Sequence, residues 1–312
     1  MASPLTAFSQ MAGMLAIVLV GYVAGKLDYL DDHTVKHLSR FVMDIAMPCL
    51  VVGSATGLDP EAATVEVPWS FALATLLWFS LLLCSHIMNI VLRTHREQRG
   101  LYLFAGACTN TSFIGIPMAI AILGHESAVS ASIFDMLTTV FNFTIGFAIL
   151  SRGGEGSERK TFSDVLKAPV VYACLIAVAM FFTGWELPAG PRDVLTSIGG
   201  ITSPVAMLVV GALVAQADFK SVFTEWRAYP FAIVRQLVLA IALFLILRAI
   251  VPEPMLAEIF ALMFALPTGA IVPTFADMCG ADASLAARNT VVSTLLSFAL
   301  IPAVIAFVAA FA

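Results

Sequence analysis

The run Asn110-Thr111-Ser112-Phe113-Ile114-Gly115-Ile116-Pro117 gathers the residue types best able to hold a ligand. Three small polar side chains stand together inside an apolar segment, and a glycine and a proline follow. Proline removes a backbone donor and clashes with the preceding turn, and glycine weakens a helix. Backbone freed in this way inside lipid must face protein or a water-filled cavity. The run predicts a broken helix whose frayed middle lines a substrate site. A second run, Leu266-Pro267-Thr268-Gly269-Ala270-Ile271-Val272-Pro273, has the same character. Half-helix N-termini carry partial positive charge and free N–H groups. Two such breaks meeting near the bilayer midplane would hold an anion with the neutral donors Asn110, Thr111, Ser112 and Thr268, without a buried Lys or Arg. The competing reading makes both breaks plain kinks whose polar groups re-satisfy backbone. Two of them at matching positions favour the site.

Further candidates lie in other apolar segments. Ile45-Ala46-Met47-Pro48 and Ile201-Thr202-Ser203-Pro204 form a second proline pair. There Ser54, Thr202 and Ser203 either reach the same cavity or accompany simple bends. Intramembrane ionisable residues are functional candidates by default. Asp135 lies roughly 12 Å along its helix, at about 1.5 Å per residue. It reads either as a proton-coupling carboxylate or as a vestibule residue that meets water. Asn142 follows two turns on, near the same face. Arg235, two turns into its segment, either snorkels to the interface or pairs with a carboxylate. Arg40 and Asp44 have the spacing of a helical ion pair. Asp277 and Arg288 flank a short turn and read as an inner-gate or turn-stabilising pair. Asn289 beside them serves packing or a site, and His86 serves packing or pH sensing.

His33 and His37 share a helical face, yet they lie among Asp31, Asp32 and Lys36 with no third ligand nearby, so a solvated face is expected rather than a metal site. There is no Walker sequence and no dinucleotide fingerprint, which argues against ATP hydrolysis in this chain. A membrane-embedded enzyme would need a cluster such as two histidines and a carboxylate at depth, and the sequence has none. No cofactor and no nucleic-acid partner is expected; a proton or sodium ion is the expected coupling species if transport is coupled at all. A sensor or assembly protein without transport is the remaining alternative.

The elements that would position these residues follow from composition. Of 312 residues, 60% are hydrophobic and 12% charged, which places the chain among polytopic membrane proteins. The five cysteines (Cys49, Cys84, Cys108, Cys174, Cys279) fall in or beside apolar spans and read as packing residues without disulfides. The first segment lacks a basic n-region and reads as a retained span. Ten apolar segments have bilayer-spanning length: 6–25, 39–57, 68–92, 101–123, 127–150, 169–186, 195–215, 229–250, 256–278 and 286–311. The longest connection, 151–168, is charged and glycine-rich and reads as a flexible loop between halves 1–150 and 169–312.

Basic residues set the expected orientation. The odd-numbered loops hold Lys26, Lys36, Arg40, Arg93, Arg96, Arg99, Arg152, Arg159, Lys160, Lys167, Lys220, Arg227 and Arg288, thirteen in all, against Arg192 and Arg248 in the even-numbered loops. The positive-inside rule then puts the odd loops in the cytoplasm and both termini outside. An offset of 156 residues relates Pro48 to Pro204, Phe104 to Phe260, Pro117 to Pro273, Gly124 to Gly280 and Glu126 to Asp282. Two halves of five spans each enter the membrane from opposite sides, so the repeats are inverted. Interrupted spans at matching places in inverted halves are the best sequence pointer to a transporter's site.

Phe41-Val42-Met43-Asp44-Ile45-Ala46-Met47-Pro48, the Asn110–Pro117 run, Pro267-Thr268-Gly269, Gly280-Ala281-Asp282 and Ser293-Thr294-Leu295-Leu296-Ser297 together resemble the motifs of the auxin efflux carrier family, in its short bacterial form. The resemblance covers nearly the whole chain. It implies an all-α polytopic protein with ten transmembrane helices in two inverted five-helix repeats, of the bile-acid-symporter and NhaA kind. Helices 4 and 9 would be broken and crossing. It further implies a scaffold of helices 1, 2, 6 and 7, a transport domain of helices 3–5 and 8–10, elevator-like alternating access, an inner-membrane location and a homodimer. Family substrates are organic anions: malonate or malate in bacterial members, auxin in plant ones. The family's crossing-site Asn maps onto Asn110 and its crossover prolines onto Pro117 and Pro267 or Pro273, and the two runs make Asn110, Thr111, Ser112, Phe113, Gly115, Pro117, Pro267, Thr268, Gly269 and Pro273 the expected substrate-binding residues. This chain has Ser112 where the family usually has Gly, and it lacks the long cytoplasmic loop of plant exporters. A small carboxylate such as malonate or malate is therefore the expected substrate. An aromatic monocarboxylate such as indole-3-acetate, held by Phe113, Phe141 and Phe143, is the alternative.

Overall fold

In lipid, N–H and C=O groups have no water to bond, so an apolar chain must close its hydrogen bonds internally. The computed structural model describes residues 4–54, 66–124, 127–153, 169–216 and 223–311, and these are helical, with no strand beyond one isolated bridge between Thr109 and Thr268. The first half holds α1 (Pro4–Lys26), α2 (Asp32–Phe41), α3 (Met47–Ser54), α4 (Glu66–Val91), α5 (Arg99–Ala107), α6 (Ile116–Leu123), α7 (Ser127–Phe141) and α8 (Phe147–Gly153). The second holds α9 (Pro169–Thr183), α10 (Ala189–Gly200), α11 (Thr202–Gln216), α12 (Ala228–Ile233), α13 (Ala240–Ile250), α14 (Pro254–Ala265), α15 (Val272–Met278) and α16 (Ala283–Phe311). The 151–168 loop lies outside the described residues except where α8 ends.

Among the described residues, five helical stretches are long and apolar enough to cross a membrane: Pro68–Val91, Ser130–Ser151, Ala189–Ala215, Ala228–Ile250 and Ala283–Phe311. They match the third, fifth, seventh, eighth and tenth apolar segments. The fourth and ninth segments have comparable apolar length but are each split into two shorter helices, α5 with α6 and α14 with α15. Two of the long stretches, 130–151 and 228–250, carry a π-helical turn, at Asn142–Gly146 and Val234–Leu239. Two more such turns lie at Val42–Ala46 and Thr111–Gly115. A π turn inserts one residue into the helical ladder and often marks a functional position.

Packing follows residue size. Between lipid-embedded helices there is little hydrophobic drive, so close van der Waals approach through small residues replaces it. α1 lies along α11 through Gly21, Gly25, Gly211, Ala212 and Ala215. A Cβ on Gly21 would strike the backbone of Leu208, and one on Gly211 would strike the backbones of Val18 and Tyr22. α3 packs against α9 and α10, with Gly199 pressed on the backbone of Leu50. A second set of contacts joins α4 to α5 and α7, α13 to α14, α12 and α15 to α16, and α5 to α8. At its heart lies α14, apolar but for Glu258 and buried from Ile259 to Ala265. Phe260 of α14 stacks on Phe134 at 5.2 Å, and Phe275 of α15 meets Phe104 at 5.0 Å and Phe143 at 4.8 Å. On α4, Leu76, Leu83, Ile87 and Ile90 form an exposed apolar stripe, which suits lipid rather than water. α2 is amphipathic instead. Its N-cap Asp31 accepts the Thr34 N–H at 2.9 Å, and the bonds from Thr34 hold the Asp31 carboxyl below its usual range.

Replacing Gly211 by Val should part α1 from α11. Overpacking costs typically about 1–3 kcal/mol, and here the obstruction is backbone that cannot rotate aside. Thermal unfolding in detergent should show a lowered midpoint, while Gly190→Val, whose Cβ would meet open space, should leave it near the native value.

Candidate substrate site

Each break has a local cause. Proline disfavours the α region for the residue before it, and Leu266, before Pro267, is extended at φ −63°, ψ 149°. α14 therefore stops at Ala265, and the helix resumes at Val272 with Pro273 in its first turn, where a missing N–H costs nothing. In the first half α5 stops at Ala107, Cys108 is extended at φ −86°, ψ 99°, and helix resumes at Thr111. The two gaps repair each other. Asn110 N–H donates to Pro267 O at 3.0 Å, and Gly269 N–H donates to Cys108 O at 2.9 Å. These bonds flank the antiparallel Thr109–Thr268 bridge. Two glycines allow the approach. A Cβ on Gly115 would come within 2.7 Å of Leu266 Cδ1, and one on Gly269 within 2.9 Å of Cys108 Sγ.

Arg235 completes the repair, in a way neither sequence expectation described. It does not snorkel, and it meets no carboxylate among the described residues; its side chain is only 2% exposed. Nη2 donates to Leu266 O at 2.8 Å and to Ser293 Oγ at 3.4 Å, and Nη1 donates to Gly106 O at 3.4 Å. Gly106 lies in the last turn of α5 and Leu266 caps α14, so the guanidinium sits at two half-helix C-termini, where the helix dipole is negative. Snorkelling would leave those carbonyls without donors. Ser293 ties the cluster together by accepting Thr268 N–H at 2.9 Å and Gln236 Nε2 at 2.6 Å. The Thr268 hydroxyl turns back to Ala105 O at 3.2 Å.

On another face of the paired breaks lies a small, partly open cleft. Its wall is Cys108, Thr109, Asn110 and Thr111 from the first break, Gly269, Ala270 and Ile271 from the second, and Thr139, Asn142 and Phe143 at the α7–α8 joint. Met47 and Leu50 of α3 and Thr202 and Ala206 of α11 close it. Asn110 is buried, its amide does not cap the following helix, and it makes no side-chain bond to a described residue. The hydroxyls of Thr109 and Thr202 are buried without partners. Asn142 Oδ1 accepts the Trp78 indole N–H at 3.0 Å, which leaves its NH2 unspent. The restarted helix also begins at Thr111 beside the cleft, and its first N–H groups have no intrahelical acceptor. Among the lining residues there is no Lys, Arg, Asp or Glu. Neutral donors and a helix N-terminus suit an anion held by hydrogen bonds.

Asp135 stands one bond behind this wall. It is buried on α7, and the Thr111 hydroxyl hydrogen-bonds its carboxylate. Thr138 donates to Asp135 O at 3.0 Å. Other expected residues fall elsewhere. Asp277 and Arg288 form no ion pair: α15 packs on α2, where Lys36, Arg40 and Asp32 supply the charges that act on Asp277, and Arg288 Nε donates to Ser284 O at 3.4 Å. Arg40 and Asp44 likewise form no ion pair. Phe143 lines the cleft, whereas Phe141 packs on Trp78 at 5.1 Å and Phe79 at 5.6 Å. The side chains of Ser54, Ser112, Phe113, Pro117 and Ser203 lie outside the described ones. Thr109, Thr139, Met47, Leu50 and Ala206 line the cleft without having been singled out. Of these, only Thr109, adjoining the Asn110 run, and Met47, inside the first motif of the second proline pair, carried any sequence signal.

Arg235→Leu should strip donors from both half-helix ends. An orphaned buried acceptor costs about 1–3 kcal/mol, so two imply a clear drop in thermal midpoint. Arg235→Lys should fall in between, because an ammonium can reach one carbonyl but lacks the guanidinium's span. A native midpoint in Arg235→Leu would show that the carbonyls need no such donor.

Residues 6–305 match the membrane transport protein family, Mem_trans. An uncharacterized transporter of Methanocaldococcus jannaschii is 24% identical over 64% of this chain and 65% of its own length. The uncharacterized transporter YfdV of Escherichia coli K12 is 23% identical over 66% of this chain and 68% of its own. A putative malonate transporter of Rhizobium meliloti is 21% identical over 91% of this chain and 90% of its own. The match thus spans just under two thirds of the length of the archaeal relative and nearly all of the rhizobial one. With its apolar helices, its broken spans and a family match across almost its whole length, the chain is a multi-pass membrane protein and belongs to the Mem_trans family, the auxin efflux carrier-like membrane transport proteins.

Proposed function

We propose that the chain is a secondary transporter of a small organic anion, a carboxylate of the malonate or malate class, bound in the cleft beside the paired breaks. One observation carries this reading. The cleft presents the unspent amide of Asn110, unpartnered hydroxyls of Thr109 and Thr202 and a helix N-terminus, and its lining contains no charged side chain. The relative named as a putative malonate transporter supports the substrate class. Only Phe143 of the two described candidate phenylalanines reaches the cleft, which favours a small carboxylate over an indole ring.

The same reading makes the paired breaks the crossing of helices 4 and 9 in two inverted five-span repeats. Gly124 and Gly280, which share the 156-residue offset, both end a helix with positive φ, +94° and +69°. α1, α3, α9, α10 and α11 act as the scaffold. The helices around α14 move against it as an elevator, carrying the site with them. The cleft lies between these groups, since Met47, Leu50, Thr202 and Ala206 come from the first and the breaks from the second. Asp135 is the coupling carboxylate: a proton on it changes what the Thr111 hydroxyl can donate at the start of the restarted helix. An inner-membrane homodimer with both termini outside completes the proposal.

Uptake of labelled malonate, malate and indole-3-acetate into proteoliposomes, under separate proton and sodium gradients, tests it. A hydrogen bond to a charged group contributes about 1.5–3 kcal/mol, so Asn110→Ala should cut malonate or malate uptake on the order of tenfold or more while the thermal midpoint holds. Full transport in that variant would overturn the site. In Asp135→Asn the uptake rate should lose its dependence on the proton gradient; a retained gradient response would remove Asp135 from the coupling step.

A further inference from the structure

The oxygen atoms gathered around Arg235 form a cation site with a cation already in it. Where membrane helices are interrupted, half-helix C-termini and unwound backbone carbonyls are the groups that coordinate a coupling sodium ion or proton. Here Gly106 O lies 3.4 Å from Nη1, and Leu266 O and Ser293 Oγ lie 2.8 Å and 3.4 Å from Nη2. The three oxygens come from α5, α14 and α16, and all are neutral. Gly106 and Leu266 close two half-helices. Each helix end carries roughly −0.5 of an elementary charge, so the two together offset about one positive charge. That is the balance a single monovalent cation requires, and no carboxylate among the described residues bonds to the guanidinium to complete it.

The cation in this site cannot leave. Arg235 is anchored in the π-helical turn Val234–Leu239 and is buried, and a guanidinium keeps its charge at any physiological pH. Beside it lies a second, small cavity lined also by Tyr102, Thr268, Asn289 and Ser293, so truncating the arginine would join its space to that cavity. The charges of Arg235 and Asp135 both act on the Cys108 thiol, which puts the resident cation and the proposed coupling carboxylate within electrostatic reach of the same break. We infer that Arg235 is a tethered substitute for a sodium ion at the paired breaks. Sodium has no place there, and coupling, which rests on the transport reading above, is left to the proton on Asp135.

Thermal unfolding in detergent, in sodium chloride against N-methylglucamine chloride at equal ionic strength, tests the position without any substrate. The native midpoint should be the same in both salts. Arg235→Ala vacates the position. Its midpoint should start lower and rise saturably, on the order of 2–4 °C, with sodium or with millimolar guanidinium, far below the molar range in which guanidinium denatures. Arg235→Leu refills the space with an apolar side chain and should gain nothing from either ion, which separates a vacated cation site from a general salt effect. If Arg235→Ala does not fold, Arg235→Gln, which keeps an amide donor for the carbonyls, carries the same comparison. A saturable sodium effect on the native midpoint would refute the inference, as would a folded Arg235→Ala or Arg235→Gln indifferent to both ions. In proteoliposomes a sodium gradient should leave native malonate uptake unchanged, and sodium-driven uptake would equally refute it. No uptake of any carboxylate would count against the proposed transport function instead and leave the midpoint result standing, so the two failures are distinguishable.

Discussion

Two helices that break inside a membrane leave N–H and C=O groups that water cannot reach, and the arrangement of this protein follows from how those groups are satisfied. The gaps at 108–110 and 266–271 bond to each other across the Thr109–Thr268 bridge, and Arg235 takes the carbonyls left over at Gly106 and Leu266. Neither break is stable alone in lipid. The requirement for mutual satisfaction fixes the distance between the two segments. It also demands glycine at 115 and 269 and places a cation two turns into the eighth apolar segment.

This solution separates charge. The C-terminal ends of α5 and α14 converge on a guanidinium, so their negative dipole ends are matched within the protein. The restarted helix at Thr111 has no such counter-charge in the cleft lining, where amides and hydroxyls stand instead. In the proposed mode an anion there meets donors and a partial positive charge, with no charged side chain in the lining. The Thr111–Asp135 bond ties a titratable group to the same helix start, which is why the proposed coupling and the proposed site lie so close.

Much of this was legible in residue order. Asn110–Pro117 and Leu266–Pro273 announced both breaks, because Gly and Pro act on their own backbone whatever surrounds them. The glycines at 124 and 280 share an offset and a conformation for the same reason. Arg235 was ambiguous in sequence: whether a long cation bends to the interface or stays buried depends on carbonyls supplied by segments over a hundred residues before it and thirty after it. The Asp277–Arg288 pairing failed for a similar cause. Proximity in sequence suggested it, but α15 packs on α2, and the charges there act on Asp277 instead.

The sequence by itself determined that the chain enters lipid, where its long helices run and where two of them must break, since hydropathy, glycine and proline are local properties. Only the tertiary structure decided which side chains share the cleft. Leu50, Thr139 and Ala206 come from α3, α7 and α11, and nothing in their spacing sets them at one surface. It also decided that Asn142 is oriented by Trp78, that Asn289 faces a second cavity, and that one arginine closes both breaks. Those facts depend on which helices lie side by side, and between helices in lipid that is governed by small-residue contacts such as Gly21 and Gly211, which bring distant parts of the chain within reach of each other.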